Sequence, residues 1–270
     1  MILRRLLALL GLSGGVVEAA AALPRDPHIL SYPALTMDPQ PAPPVTLLFS
    51  DSPEVPTRSG LPYRDTLAGR VRVLAYHQNG LYGVARVQVI ARNTAGSPVT
   101  LARLRQGSGR TDGPDAIIGQ RTLLRYFVSQ PRPALTLPPG GQALLFDSGP
   151  LAPQAVSSAM LDLDASGPVE ISVIFRGPDT PRHTGLDALS TLPTDGTHQR
   201  GTFQNADRAA DVNLSRLPAR LTFGAQNDPN IQGQDALTGQ PVSLAGNYGV
   251  IYNLLHVVAS KPLVGQQSIG

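Results

Sequence analysis

Apolar and polar residues alternate along short stretches of this chain, the pattern of a strand with one covered face, and turn-forming residues separate the stretches. Arg70–His77 (RVRVLAYH) alternates strictly. The QNG at Gln78–Gly80 then reads as a hairpin turn into Gly83–Asn93 (GVARVQVIARN). NTAGSP turns the chain into Val99–Arg105 (VTLARLR). Further strands are predicted at Thr122–Ser129 (TLLRYFVS), Gln142–Asp147 (QALLFD), Ala159–Asp164 (AMLDLD), Val169–Arg176 (VEISVIFR), Arg220–Gly224 (RLTFG) and Tyr248–Ala259 (YGVIYNLLHVVA). Helical periodicity is almost absent, and 27 Gly and 26 Pro punctuate the chain throughout. The pattern predicts an all-β fold, an antiparallel β-sandwich of immunoglobulin-like topology, with a barrel as the weaker alternative. Two connections, Gln106–Gln120 and Gly177–Gly196, exceed hairpin length, and loops that long are often functional or mobile.

The two ends read differently from the middle. Arg4 and Arg5 precede an apolar run from Leu6 to Val17 and then small residues from Ala19 to Ala22, the layout of a secretory signal peptide over residues 1–21. The run is interrupted by Gly11, Gly14 and Gly15 and falls short of the ~20 residues that span a bilayer. Residues 22–44 are rich in proline and do not alternate, which suggests an extended arm able to reach a partner. The domain is expected over 45–260, as one unit or two sub-domains, with a tail over 261–270.

Charge and composition narrow the class. Removing residues 1–21 takes away Arg4, Arg5 and Glu18 and lowers the formal net charge from +3 to +2. Lys261 is the sole lysine, the arginines are dispersed, aromatics make up 5% and tryptophan is absent. Nucleic-acid binding, which calls for a concentrated basic face with aromatics beside it, is disfavoured. The chain has no cysteine, so disulfides and lipid attachment through an N-terminal Cys are excluded, although an exported protein could have used either.

Motifs for catalysis are scarce. There is no Gly-x-Ser-x-Gly elbow. GSGRTDG at 107–113 lacks the Gly-Lys-Ser/Thr end of a phosphate loop. DLDASG at 162–167 begins like a calcium loop, but Val173 stands where a bidentate Glu is required, and a β-turn between two strands explains it better. What remains is five histidines, of which His28 lies in the arm. With no thiolates, His77, His183, His198 and His256 are the candidate ligands of a copper or zinc site. The pleat puts His77 on the face of Val71, Val73 and Ala75, and His256 on that of Leu254 and Val258. No His-x-His pair occurs, and a lone histidine at a strand end is more often a hydrogen-bonded structural residue. The most polar stretch is Asp195–Arg208 (DGTHQRGTFQNADR). There Arg200 either pins a loop by pairing with a carboxylate, or lends positive potential to a small-anion site. Asn205 and Asp207 are read as shaping a turn.

Several pieces, FSDSPEVPTRSGLPYRDT (49–66), RVLAYHQNG (72–80), VQVIARNTAGSPVTL (87–101), DGTHQRGTFQNADR and GNYGVIY (246–252), together resemble an uncharacterised family of exported bacterial cell-envelope, S-layer-associated β-proteins. Some of its members are grouped with copper-amine-oxidase N-terminal-type domains. The resemblance covers most of 45–258 and implies a structural or interaction subunit of the envelope that partners larger envelope or S-layer proteins, with no activity assigned. A weaker resemblance, in fold class and ligand type alone, is to copper-only superoxide dismutase-type sandwiches. It implies a copper cofactor held by the histidines, with Arg200 as the catalytic residue guiding superoxide. The His-x-His pair and the disulfide of copper/zinc dismutases are missing. The leading expectation is therefore the envelope subunit, with a copper oxidoreductase and then a carbohydrate-binding module as alternatives.

Overall fold

The computed structural model describes residues 28–35, 40–113, 117–181, 184–213, 218–224 and 228–258, apart from the side chains of 29, 41, 51–53 and 255–258. The signal-peptide reading of 1–21 and the tail 261–270 lie outside the described residues.

Two long strands form the spine. β3 (Gly60–Gln78) and β8 (Val156–Arg176) pair antiparallel along nearly their whole length, from Gly60 opposite Phe175 to Gln78 opposite Val156. The ladder shifts register between Leu67 and Gly69, where Gly69 takes a φ of 70°, a conformation that favours glycine. On its other edge β8 pairs first with β5 (Val99–Thr111) and then with β4 (Arg86–Asn93). β6 (Arg132–Leu137) extends the sheet beyond β5, and β7 (Gln142–Asp147) extends it beyond β4. β2 (Thr46–Glu54) runs parallel to β3, and β9 (Arg200–Phe203), β11 (Ile231–Gln234) and β12 (Pro241–Leu244) follow it outward. A small second sheet joins β1 (Gln40–Pro41), β10 (Arg208–Asn213) and β13 (Tyr252–Val258).

The alternation in the sequence is the burial of this ten-stranded sheet. Val71, Val73 and Ala75 of β3, Val87, Val89 and Ala91 of β4, and Leu161, Leu163, Ile171 and Val173 of β8 meet in one apolar core. A smaller cluster of Leu47, Phe49, Phe203, Ile231 and Leu244 fills the other side of β2 and β9. The first half of β8 is buried at successive positions, on both faces, because a helix covers the face that alternation would have left to water.

That helix, α1 (Ile117–Val128), corrects two expectations at once. Thr122–Ser129 was expected as a strand and Gln106–Gln120 as a loop; instead β5 continues to Thr111 and α1 follows. Ile118, Thr122 and Tyr126 repeat at helical spacing and are its buried side. Glycine makes the close approach possible, since a Cβ on Gly107 would lie 2.1 Å from the Thr122 carbonyl oxygen and 2.3 Å from the Tyr126 nitrogen.

The connections also differ from the sequence reading. QNG makes no hairpin, because β3 and β4 lie on opposite edges of β8 and the chain crosses the end of the sheet between them. Asn79 anchors that crossing. Its buried Nδ2 donates to the carbonyls of Gly83 (2.8 Å), Leu151 (2.9 Å) and Ala152 (3.1 Å). Asn93 repeats the device before β5, donating to Ser97 (2.9 Å) and Leu137 (2.8 Å). DLDASG is not a turn but the middle of β8, and Arg220–Gly224 supplies one bridge, from Arg220 to Ala34, instead of a strand. The described part of the Pro-rich arm is tied down by that bridge and by β1 on β10. The β class is as expected; the large sheet is mixed, because β2 and β3 are parallel, where a purely antiparallel one was expected. No helix among the described residues is long and apolar enough to cross a membrane.

Candidate functional site

The parallel pairing of β2 with β3, and the antiparallel pairing of β2 with β9, bring distant polar residues of the sequence together. Ser50 lies opposite Arg200, and Glu54 lies opposite His77. All four are buried. His77, with its side chain on the core face as the pleat predicts, has Nε2 3.1 Å from Ser50 Oγ. Its Nδ1 is buried without a hydrogen-bond partner among the described residues. Burial foremost, then the positive charge of Arg200 and the proximity of His198, push the His77 pKa down to about 3. The imidazole is therefore neutral across the physiological range. A serine and a histidine at this distance suggest a nucleophile and its base, but neither has solvent contact, so no substrate reaches them.

Arg200 faces inward. It donates to the carbonyls of Pro62 and Leu192 (3.0 Å for the latter) and pairs with Glu54 Oε1 at 3.4 Å. His198, two residues earlier, turns to Asp195, whose carboxylate meets its Nδ1 and accepts from its backbone N–H at 2.8 Å. Burial alone would raise the Asp195 pKa; the bonds from His198 and Thr197 outweigh it and hold the carboxyl below its usual value. The two side chains thus share no solvent-facing surface. His183 lies outside the described residues, and His256 sits on β13 with its side chain outside them. Among the described residues no three His, Asp or Glu side chains are grouped to hold a metal ion. His77 and His198 are thus joined by no third donor of that kind among the described residues, and no step is routed through a metal.

The depressed His77 pKa has a measurable consequence. Below its ordinary pKa of ~6.5 the unfolded chain binds a proton that the folded protein refuses until about pH 3. Stability from the neutral imidazole is complete above ~6.5 and is lost as pH falls, by at most ~1.4 kcal/mol per pH unit. Urea titrations of the wild type between those limits are expected to show this slope, and His77→Asn is expected to remove one proton's worth of it; an unchanged slope would contradict the assignment.

Two clefts and one network escaped the sequence reading. A cleft of about 440 Å³ beside β9 and β11 is lined by Asp65, Thr202, Gln204, Gln232 and Gln234. Thr202 bridges Tyr63 and Asp65 beneath it, with Tyr63 Oη 3.0 Å from Thr202 Oγ1 and Asp65 accepting from that hydroxyl at 2.6 Å. A second cleft, of about 330 Å³, includes Arg103, Gln106, Ser108 and Arg132. The network centres on Arg72, which donates to Asp162 (2.8 and 3.2 Å), to Asp207 and to the Gly249 carbonyl (3.1 Å), while Tyr126 donates to Asp162 (2.7 Å). Asp207, read as a turn former, is in fact an ion-pair partner and also accepts from the Ile251 N–H (3.1 Å). Asn205 does occupy a turn, with a φ of 50°.

No family model, curated protein or solved structure matches this chain.

Proposed function

We propose that this protein is an exported cell-envelope interaction subunit whose contact face is the outer side of α1. One observation carries the reading. Opposite its buried stripe, α1 exposes Leu123, Leu124, Phe127 and Val128, with relative exposures of 42, 52, 51 and 74%. So many large apolar side chains on one short helix form a patch of the kind that marks a contact site. Its rim is cationic. The Arg105 guanidinium stands 5.6 Å from the Tyr126 ring centroid and 6.0 Å from that of Phe127, and Arg121 and Arg125 lie on the helix itself. Apolar and aromatic centres with arginine beside them are the usual composition of binding hot spots. The partner this face suits is a protein with an apolar groove and an acidic border. The signal-peptide pattern and the resemblance to exported envelope proteins support the location. We also read the large sheet as folding into the two packed layers of a sandwich, because one core cluster draws on both halves of β3 and β8.

The double substitution Leu124→Asp, Phe127→Asp leaves the buried stripe intact. It is expected to lower retention in the envelope fraction by at least about tenfold, since hot-spot side chains are each worth more than ~1 kcal/mol. A photoreactive residue at position 128 is expected to give one discrete protein adduct in that fraction. Unchanged retention together with no adduct would overturn the reading. Glycan binding in the Asp65 cleft is a weaker second reading. That cleft offers amides and a carboxylate to hydroxyl groups but has no aromatic ring among its lining residues.

A further inference from the structure

The antiparallel pairing of β5 with β6 sets Arg103 directly opposite Arg132. Directly opposite residues share a sheet face, and like charges there repel. Neither guanidinium forms an ion pair with a carboxylate among the described residues. Arg103 is pinned in place. Its Nη1 donates to the Leu145 carbonyl (2.9 Å) and to Gln106 Oε1 (3.3 Å), both neutral acceptors, and its Nε is buried with no acceptor among the described residues. Burial, and then the neighbouring charge of Arg132, lower the Arg103 pKa, the mark of a cation that lacks a counter-charge.

The surroundings are those of an anion site. Both arginines line the 330 Å³ cleft together with Gln106 and Ser108. Because Gln106 spends its oxygen on Arg103, its amide NH₂ is left as a donor, and the Ser108 hydroxyl is another. Asp147, at the cleft wall, has its carboxylate taken up by Arg86 (2.9 Å), Gln88 (2.9 Å) and the Gly149 N–H (2.7 Å). It is therefore a spectator to the cations. Two guanidiniums, an amide and a hydroxyl are more donors than the two oxygens of one carboxylate readily satisfy, and they suit the larger oxygen set of a phosphoryl group.

We propose that the Arg103–Arg132 cleft binds a phosphoryl oxyanion, borne by free phosphate or by a phosphodiester. The site is distinct from the α1 contact face: Gln106 and Ser108 alternate with Gly107 and Gly109, which lie under the helix, so they point to the other side of β5.

The test is isothermal titration of the full-length protein with inorganic phosphate in a chloride buffer, ionic strength held constant. One saturable site is expected, weakened about tenfold or more by Arg132→Gln, the loss of one charge-assisted contact. Arg132→Glu is expected to abolish binding while raising the melting temperature, because a carboxylate then replaces the opposing cation. That paired outcome separates a lost site from a misfolded protein. Dimethyl phosphate distinguishes the sources: affinity equal to that of inorganic phosphate points to a diester, and weaker affinity to free or terminal phosphate. No saturable heat with either probe, or equal affinity in wild type and Arg132→Gln, would overturn the proposal.

Discussion

Arg72→Met is expected to destabilise the domain by about 3–5 kcal/mol, the usual cost of removing one partner from a buried ion pair. Arg72 is 2% exposed and holds two carboxylates, Asp162 of β8 and Asp207 at the start of the small sheet. Burial by itself would lower its pKa, but the hydrogen bonds it donates to Asp207 and Asp162 outweigh burial and keep it above the ordinary value. Without the guanidinium, two buried carboxylates lose their shared cation, and Asp162 retains the hydrogen bond from Tyr126. The network joins the spine, α1 and the β10–β13 sheet, so the loss should appear in one cooperative transition. Arg70→Met, two residues earlier on the same strand and exposed, is the control and should stay within ~0.5 kcal/mol. Urea denaturation measures both. A value for Arg72→Met near that of the control would mean that the carboxylates find other partners.

The second large effect is expected from Arg200→Met, a loss of about 3 kcal/mol or more. The side chain ties β9 to the carbonyls of Pro62 and Leu192 and is the ion-pair partner of Glu54, all in a region of low solvent contact. An arginine that steered small anions from the surface would behave otherwise, since its removal would leave the melting temperature unchanged. His198→Ala provides the contrast. His198 is partly exposed and holds only a local turn with Asp195, so its loss should cost no more than ~1 kcal/mol. Equal melting temperatures for wild type and Arg200→Met would sink the clamp assignment.

The predicted strands that hold best are those where alternation reports one covered face. Gln142–Asp147 is β7 to the residue, and Arg70–His77 lies inside β3 with its apolar face in the core. His77 was legible as core-directed for the same reason. The failures occur where a second layer intervenes. Thr122–Ser129 is apolar enough for a strand, and its helical stripe shows only when Ile118, outside that window, is included. Arg72 alternates outward like Arg70, and nothing local distinguishes the arginine that α1 and Asp207 cover from the one that water covers.

By itself the sequence determined the β class, the strands with a single buried face and the absence of cysteine and catalytic motifs, because local periodicity and composition carry that information. The tertiary structure alone decided which strands became neighbours, that Asn79 would anchor a crossing instead of turning a hairpin, and that Arg103 would meet Arg132. Partners in a sheet are chosen by the packing of distant segments, and no window of adjacent residues contains that choice.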